Sequence, residues 1–367
     1  MRIGINTGGG DAPGLNAVIH AVVLSAHHRG WDVYGIQTGY AGLLDPSKTT
    51  RLTRAHVEAI VDRGGTILGT TNRADPFRFP VKGPGGEVTY ADLSDQVVRN
   101  FRALGLDALV AVGGDGSLGL AARFAAKGIP VVGVPKTIDN DLADTNYSFG
   151  FDTAVSTATD AVDKLHSTAS AHQRVFVVEV MGRYVGWIAL HTGLTGSADV
   201  ILLPEVPFDL EHVCEKIRAN ERRGKAYGII VAAEGAKPIG GHLTTRVDSS
   251  PGREEPLLGG IAEWVAREVG QRTGKETRAL VLGHLQRGGS PTPFDRLVAL
   301  RYGAAAVRFL AEGKRNVLVA YQPPAGMVPV PLEGAASRRK TVPVDSDTLW
   351  TCRELGISLG DAPPLRD

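Results

Sequence analysis

The sequence predicts an α/β fold built on mainly parallel sheets, and three observations carry that reading. First, apolar runs end in glycine clusters: Arg2-Ile-Gly-Ile-Asn leads to Gly8-Gly9-Gly10-Asp11, and Ala108-Leu-Val-Ala-Val leads to Gly113-Gly114-Asp115-Gly116. Second, each cluster is followed by a helical pattern, Leu15 to His28 and Leu118 to Lys127. Third, the runs Ile129-Pro-Val-Val-Gly-Val, Val175 to Val180, Gly228 to Ala233 and Ala279 to Leu282 each meet polar residues directly afterwards. Apolar runs bounded by glycine and alternating with helices are the pattern of strands buried in a parallel sheet. Ligands bind beyond the carboxyl ends of such strands. The polar clusters therefore fall in candidate sites.

At 367 residues the chain exceeds the usual single-domain size, so two domains are expected. A net charge of +1 gives no support for nucleic acid or a membrane surface as partner, and no segment approaches a membrane span. Any polyanionic ligand must be met by local arginines and lysines. Cys214 and Cys352 form neither a disulfide framework nor a metal-ligand spacing, and the strand-like start leaves no signal stretch, so a cytoplasmic location is expected. The ten histidines lack metalloprotease spacing and there is no Gly-x-Ser-x-Gly elbow, so zinc and serine hydrolysis lack support. Ala236 to Leu257 and Pro323 to Arg339, rich in Gly, Ser and Pro, read as surface excursions, with Ser337-Arg-Arg-Lys as a solvated turn.

The cluster Gly8-Gly9-Gly10-Asp11 lacks the Lys-Ser/Thr of a P-loop and the dinucleotide spacing. It predicts exposed backbone N–H groups at a helix start, which favour phosphate; the alternative is a tight turn capped by Asp11. In Gly113-Gly114-Asp115-Gly116-Ser117, a carboxylate flanked by glycines can hold Mg2+ while the backbone approaches phosphates. The motif is similar to that of NAD and lipid kinases, and its alternative is again a capped turn. Lys136-Thr137-Ile138-Asp139-Asn140-Asp141 places two carboxylates, a hydroxyl and an ammonium at a strand end. Phosphoryl transfer needs a base, a metal ligand and positive charge on the moving group, and this segment holds all three. Its alternative is an Asx-rich turn. Arg73, Arg78, Arg174, Arg183, Arg278 and Arg287 lie beside the glycine-rich runs. Each alone reads as a surface ion pair. Together they suit a sugar phosphate of roughly −1.5 to −2 charge held near a second polyphosphate. His284, just before Leu-Gln-Arg287, is a further ligand donor.

From Gly8 to about Leu359 the chain resembles the 6-phosphofructokinases. The matching segments are Gly9-Gly-Asp-Ala-Pro-Gly-Leu-Asn16, Arg63-Gly-Gly-Thr-Ile-Leu-Gly69, Gly113-Gly-Asp-Gly-Ser117, Pro135-Lys-Thr-Ile-Asp-Asn-Asp141, His172-Gln-Arg174, Glu179-Val-Met-Gly-Arg183 and Glu276 through Pro291. The resemblance implies two interleaved Rossmann-like three-layer α/β/α domains. The larger, nucleotide-binding one would span 1–150 plus about 286–340; the smaller, sugar-phosphate-binding one 151–285 plus about 341–367. It implies transfer of a phosphoryl group from Mg-ATP to the 1-hydroxyl of fructose 6-phosphate. Asp139 would be the base, with Thr137, Lys136 and Arg183 beside it in catalysis. Asp115 would organise Mg2+ with Asp141 assisting. Gly10, Tyr40, Arg73, Arg78, Gly113, Gly114, Gly116 and Ser117 would face the donor. Thr137, Asp139, Asp141, Met181, Gly182, Arg183, Glu234, His284 and Arg287 would hold the sugar phosphate. Arg174 and Arg278 would reach in from a neighbouring subunit, implying a homo-oligomer, typically a tetramer, with shared sites.

Two departures from the family pattern matter. Pyrophosphate users share Lys136 but carry aspartate where Gly116 stands; many ATP users have glycine at both positions, and some keep the lysine. Gly116 leaves room for the ATP α-phosphate, which favours ATP, with pyrophosphate as the alternative donor. Bacterial relatives place effector-binding arginines where His20, Leu24 and His166 stand, while Arg54, Arg223 and Lys225 remain. A sensor that has lost catalysis would be expected to lack Asp115, Asp139 or the arginines, and all are present.

Overall fold

The computed structural model describes all residues except 73–74, 83–86, 243–244, 247–256, 336–337 and 364–367. The chain forms two compact units: a larger one of Met1–Thr153 and Arg287–Arg339, and a smaller one of Ala154–Gln286 and Lys340–Asp367.

The larger unit is built on a seven-stranded sheet in the order Gly326–Pro331, Val317–Gln322, Val131–Pro135, Ala108–Gly113, Arg2–Thr7, Asp32–Ile36, Thr49–Leu52. The five inner strands are parallel and both edge strands antiparallel. Alternation along the strands explains why both faces are apolar. Ala108, Val110 and Val112 join Ile3 and Ile5 in a core under the helices Leu15–His27 and Pro293–Ala311. Leu109 and Ala111 point the other way, into a core with Phe101, Leu118 and Phe124 from the helices Ser94–Ala103 and Asp115–Ala126. Each such fully buried Leu, Val, Ile or Phe contributes roughly 1.5–3 kcal/mol. A near-continuous hydrophobic run is what a strand covered on both faces requires.

The smaller unit has a four-stranded, all-parallel sheet in the order Thr277–Val281, Val175–Val180, Gly228–Ala233, Val200–Leu202. Val175, Val177, Val200, Leu202, Ile230 and Ala232 form a core with the helices Leu210–Arg222 and Ile261–Thr273. Ile201 faces the opposite side, where it lies against Gly193 of the helix Trp187–Thr195 so closely that a Cβ there would sit 2.4 Å away. Both units are therefore three-layered, in line with the α/β expectation.

Two segments differ from the sequence reading. The second helix starts at Asp115 rather than Leu118, so the glycine cluster is itself the helix start. Pro323 to Arg339 is not a plain excursion. Gly326–Pro331 forms an edge strand against Val317–Gln322, where Pro329 and Pro331 are tolerated because an edge leaves part of the N–H row unpaired. Leu332–Ala335 then makes a helical turn with Leu332 buried. Much of Ala236 to Leu257, and Ser337, lie outside the described residues; Thr245–Arg246 does pair antiparallel with Leu257–Leu258.

Candidate active site

In the larger unit, three adjacent parallel strands, Val131–Pro135, Ala108–Gly113 and Arg2–Thr7, end side by side. Their loops bring together Lys136–Asp141, Gly114–Ser117 and Gly8–Asp11. This is the sheet position at which connections lead off to either side, where an α/β fold places its ligand.

The first glycine loop does not leave all its amides exposed: the Gly8 N–H donates to the Val112 carbonyl at 2.9 Å and the Gly9 N–H to the Thr71 carbonyl at 3.0 Å. Nor does Asp11 cap the following helix; Gly14, with φ 105°, does, under a Phe149 ring that leaves no room for a Cβ. What the loop offers is carbonyls that collect cations. The Lys136 ammonium donates to the Gly10 carbonyl, and Arg287 Nη1 donates to the Asp11 carbonyl at 3.0 Å. Gly10 lets the Arg287 guanidinium come close, since a Cβ there would stand 2.8 Å from it and push it aside. Burial first, and the Arg287 charge second, pull the Lys136 ammonium down to about 8, against Asp11, Asp139 and Asp115.

In the second loop, Gly8 and Gly113 make room for Ser117, whose Oγ would lie 2.5 Å and 2.9 Å from Cβ atoms built on them. Gly114 is the helix N-cap. Asp115, the first helical residue, turns Oδ1 back to accept its neighbour's Gly116 N–H at 2.7 Å. Gly116 faces open space, with no heavy atom within 4 Å of a Cβ. Tyr40 does not line an open surface: at 3 % exposure it is in the core, stacked near Phe124, and its hydroxyl donates to the Ser117 carbonyl at 3.2 Å. Burial drives its phenol well above the usual range.

The third loop is organised by Thr137. Its hydroxyl donates to Asp141 Oδ1 at 3.0 Å and accepts the Asp139 N–H at 3.1 Å. Asn140 adopts φ 52°, in the left-handed region that asparagine tolerates better than most residues, and its Oδ1 accepts the Ser148 N–H at 3.0 Å. Burial, then repulsion from Asp115, raise the Asp141 carboxyl, while Thr137 and Arg339 oppose the rise. Arg339 Nη2 lies 3.3 Å from Asp115 Oδ2. The sequence reading missed this residue, since nothing in a Ser-Arg-Arg-Lys run points to a carboxylate far earlier in the chain.

Asp115 and Asp141 offer hard oxygen donors suited to Mg2+, and among the described residues no group of three or more His, Cys, Asp or Glu could form a closed metal cage. Mg2+ is commonly held by one or two carboxylates plus substrate phosphates, a role the chemistry of these two side chains suits.

Among the remaining residues expected on the donor side, Arg78 is exposed, with its guanidinium 4.6 Å over the Tyr90 ring. Arg73 lies outside the described residues. Arg287, expected with the sugar-phosphate set, belongs to the larger unit.

The smaller unit gathers Met181, Gly182, Arg183, Glu234 and His284 at the carboxyl ends of its strands. The Glu234 N–H donates to the Val180 carbonyl at 2.9 Å and the Gly235 N–H to the Gly182 carbonyl at 3.1 Å, locking two of the strand ends together. Gly182, with φ 136°, allows the tight bend. Gln286 Oε1 accepts the Met181 N–H at 3.3 Å. Arg174 and Arg278 stand apart from this group, at the amino ends of Val175–Val180 and Thr277–Val281, about 20 Å of strand away. Both hold Glu276, Arg174 through Nε at 2.7 Å and Arg278 through Nη2.

The family model described as Phosphofructokinase matches residues 2–310. An ATP-dependent 6-phosphofructokinase of Chloroflexus aurantiacus is 50% identical over 363 residues, covering 98% of each chain. A pyrophosphate–fructose 6-phosphate 1-phosphotransferase of Amycolatopsis methanolica is 50% identical over 347 residues, covering 94% of this chain and 96% of the other. Among solved structures, Pichia pastoris phosphofructokinase in the T-state matches with a TM-score of 0.78 at 30% identity. That match covers 92% of this chain and 35% of the yeast chain, so the chain spans about a third of that protein's length.

Proposed function

The chain belongs to the phosphofructokinase family, and from that premise we propose that it transfers the terminal phosphoryl group of ATP to the 1-hydroxyl of fructose 6-phosphate. The product is fructose 1,6-bisphosphate, an intermediate of glycolysis. The observation that carries the site assignment is the meeting of Lys136, Thr137, Asp139, Asp141 and Asp115 at neighbouring strand ends of the larger unit.

Each residue's role follows from its chemistry. Asp139 takes the proton from the sugar hydroxyl, and its backbone is fixed by Thr137. Lys136 and Arg287, both turned to the Gly10–Asp11 carbonyls, set positive charge where a phosphoryl group moves. Gly113, Gly114, Gly116 and Ser117 let the donor phosphates approach the start of the Asp115–Ala126 helix, whose dipole favours anions. Asp115 and Asp141 hold Mg2+, which when bound offsets phosphate charge. Met181, Gly182, Arg183, Glu234 and His284 of the smaller unit bind the sugar phosphate, and Arg78 and Arg73 belong to the donor side. Arg174 and Arg278 serve a neighbouring subunit's site in a homo-oligomer, typically a tetramer. Their position away from the other smaller-unit residues supports that reading. The free, buried thiols of Cys214 and Cys352 suit a reducing cytoplasm, and no helix among the described residues is long and apolar enough to cross a membrane.

Pyrophosphate is the second reading for the donor. The buried Lys136 ammonium and the Amycolatopsis methanolica relative favour it; the open space at Gly116 favours ATP. A coupled assay with fructose 6-phosphate and saturating Mg2+ decides between them. ATP is expected to give the higher kcat/KM, and a preference for pyrophosphate would reverse the donor assignment. No turnover with either would overturn the function.

A further inference from the structure

Arg339 enters the larger unit's site with more structural support than a surface arginine needs. An antiparallel bridge joins its backbone to Leu142, directly after Asp141. Arg338 beside it donates to Asp144 Oδ2 at 2.6 Å and to the Gly334 carbonyl at 3.3 Å. The chain is therefore held at Arg339 and at the residue before it. The Arg339 guanidinium reaches Asp115 Oδ2 at 3.3 Å, while Asp115 Oδ1 is taken by the Gly116 N–H at 2.7 Å. Arg339 thus holds the Asp115 oxygen that carries no backbone hydrogen bond.

We infer that Arg339 is an internal counter-ion that competes with the divalent cation for Asp115, keeping that carboxylate oriented until the cation arrives with the donor. The inference rests on the reading that Asp115 and Asp141 hold the cation. A divalent cation held by the Asp115 carboxylate would share that group with the Arg339 guanidinium, and two cations on one carboxylate would repel. The side chains of Arg339 and Asp115 are 42% and 50% exposed, so water and salt screen the pair and a divalent ion can displace it. Arg339 thereby acts as a positioning residue. It prevents idle cation binding without preventing binding of the cation–donor complex, whose phosphates supply further ligands.

The test is direct Mn2+ binding to the full-length protein without nucleotide, followed by electron paramagnetic resonance. Arg339→Gln should bind Mn2+ about three- to tenfold more tightly than the parent protein. Arg338→Gln, which removes the same charge but not the contact with Asp115, should change affinity by less than about twofold. An Arg339→Gln affinity equal to or weaker than the parent's overturns the inference, as does equal tightening in both variants. Asp115→Asn separates the two layers of the argument. Loss of Mn2+ binding in that variant upholds the cation site; unchanged binding would sink the site reading itself, whatever Arg339 does.

Discussion

Lys136 and Arg287 donate to consecutive backbone carbonyls, those of Gly10 and Asp11, so two cations from distant parts of the chain share one short loop. Burial and the nearby Arg287 charge both oppose the Lys136 ammonium there. An anion between them relieves both costs, which is the physical reason to assign this corner to a phosphoryl group.

Activity should therefore depend on the Lys136 proton. The ammonium is charged below about 8 and neutral above it. In the free enzyme, kcat/KM for the donor should fall by about tenfold per pH unit well above that value. Bound phosphate favours the charged form, so the limb in kcat should lie at higher pH. Lys136→Met should remove the alkaline limb and lower kcat/KM at least about tenfold at pH 7. For stability the sign is opposite: the folded value lies below the ordinary 10.5, so the cost of burying charge is present below about 8 and is relieved as pH rises towards 10.5. A kcat/KM profile that stays flat from pH 7 to 9.5 would contradict this role.

Gly116→Asp tests the donor pocket. A side chain there meets open space and needs no unusual φ, and an aspartate in the first helical turn suits the dipole, so the fold should be kept. Its carboxylate would repel the ATP α-phosphate. The variant should lose about a hundredfold more kcat/KM with ATP than with pyrophosphate. Equal losses with both donors would refute the steric and charge argument.

Shared sites can be tested by mixing subunits. Asp139→Ala and Arg174→Ala should each be nearly inactive alone, because one lacks the base and the other a phosphate-binding guanidinium. Hybrids made by co-refolding should regain activity if Arg174 serves a neighbour. Verified hybrids with none would show that each subunit uses its own arginine.

Much of this was legible in the sequence because the chemistry sits at strand ends, and strands buried on both faces are conspicuous. Gly8–Asp11, Gly113–Ser117 and Lys136–Asp141 were each found that way, and the structure brings all three to one edge of one sheet. The roles of individual atoms were less legible. That the Gly8 and Gly9 amides are spent on Val112 and Thr71, or that Tyr40 is a core residue, depends on which strands become neighbours. The strand Gly326–Pro331 was hidden by its prolines, whose suitability for an edge shows only once the edge is known. Arg339 was hidden by distance along the chain. His20 and His166 contact the Val57 and Gly196 carbonyls, a use that residue type alone could not disclose.

The proton abstraction assigned to Asp139 is most directly tested by measuring kcat and fructose 6-phosphate affinity in Asp139→Ala side by side, the affinity by calorimetry in the absence of turnover. Turnover should drop by more than about a hundredfold while the dissociation constant changes by less than about threefold. Near-normal turnover, or a loss explained entirely by weaker sugar binding, would contradict the assignment.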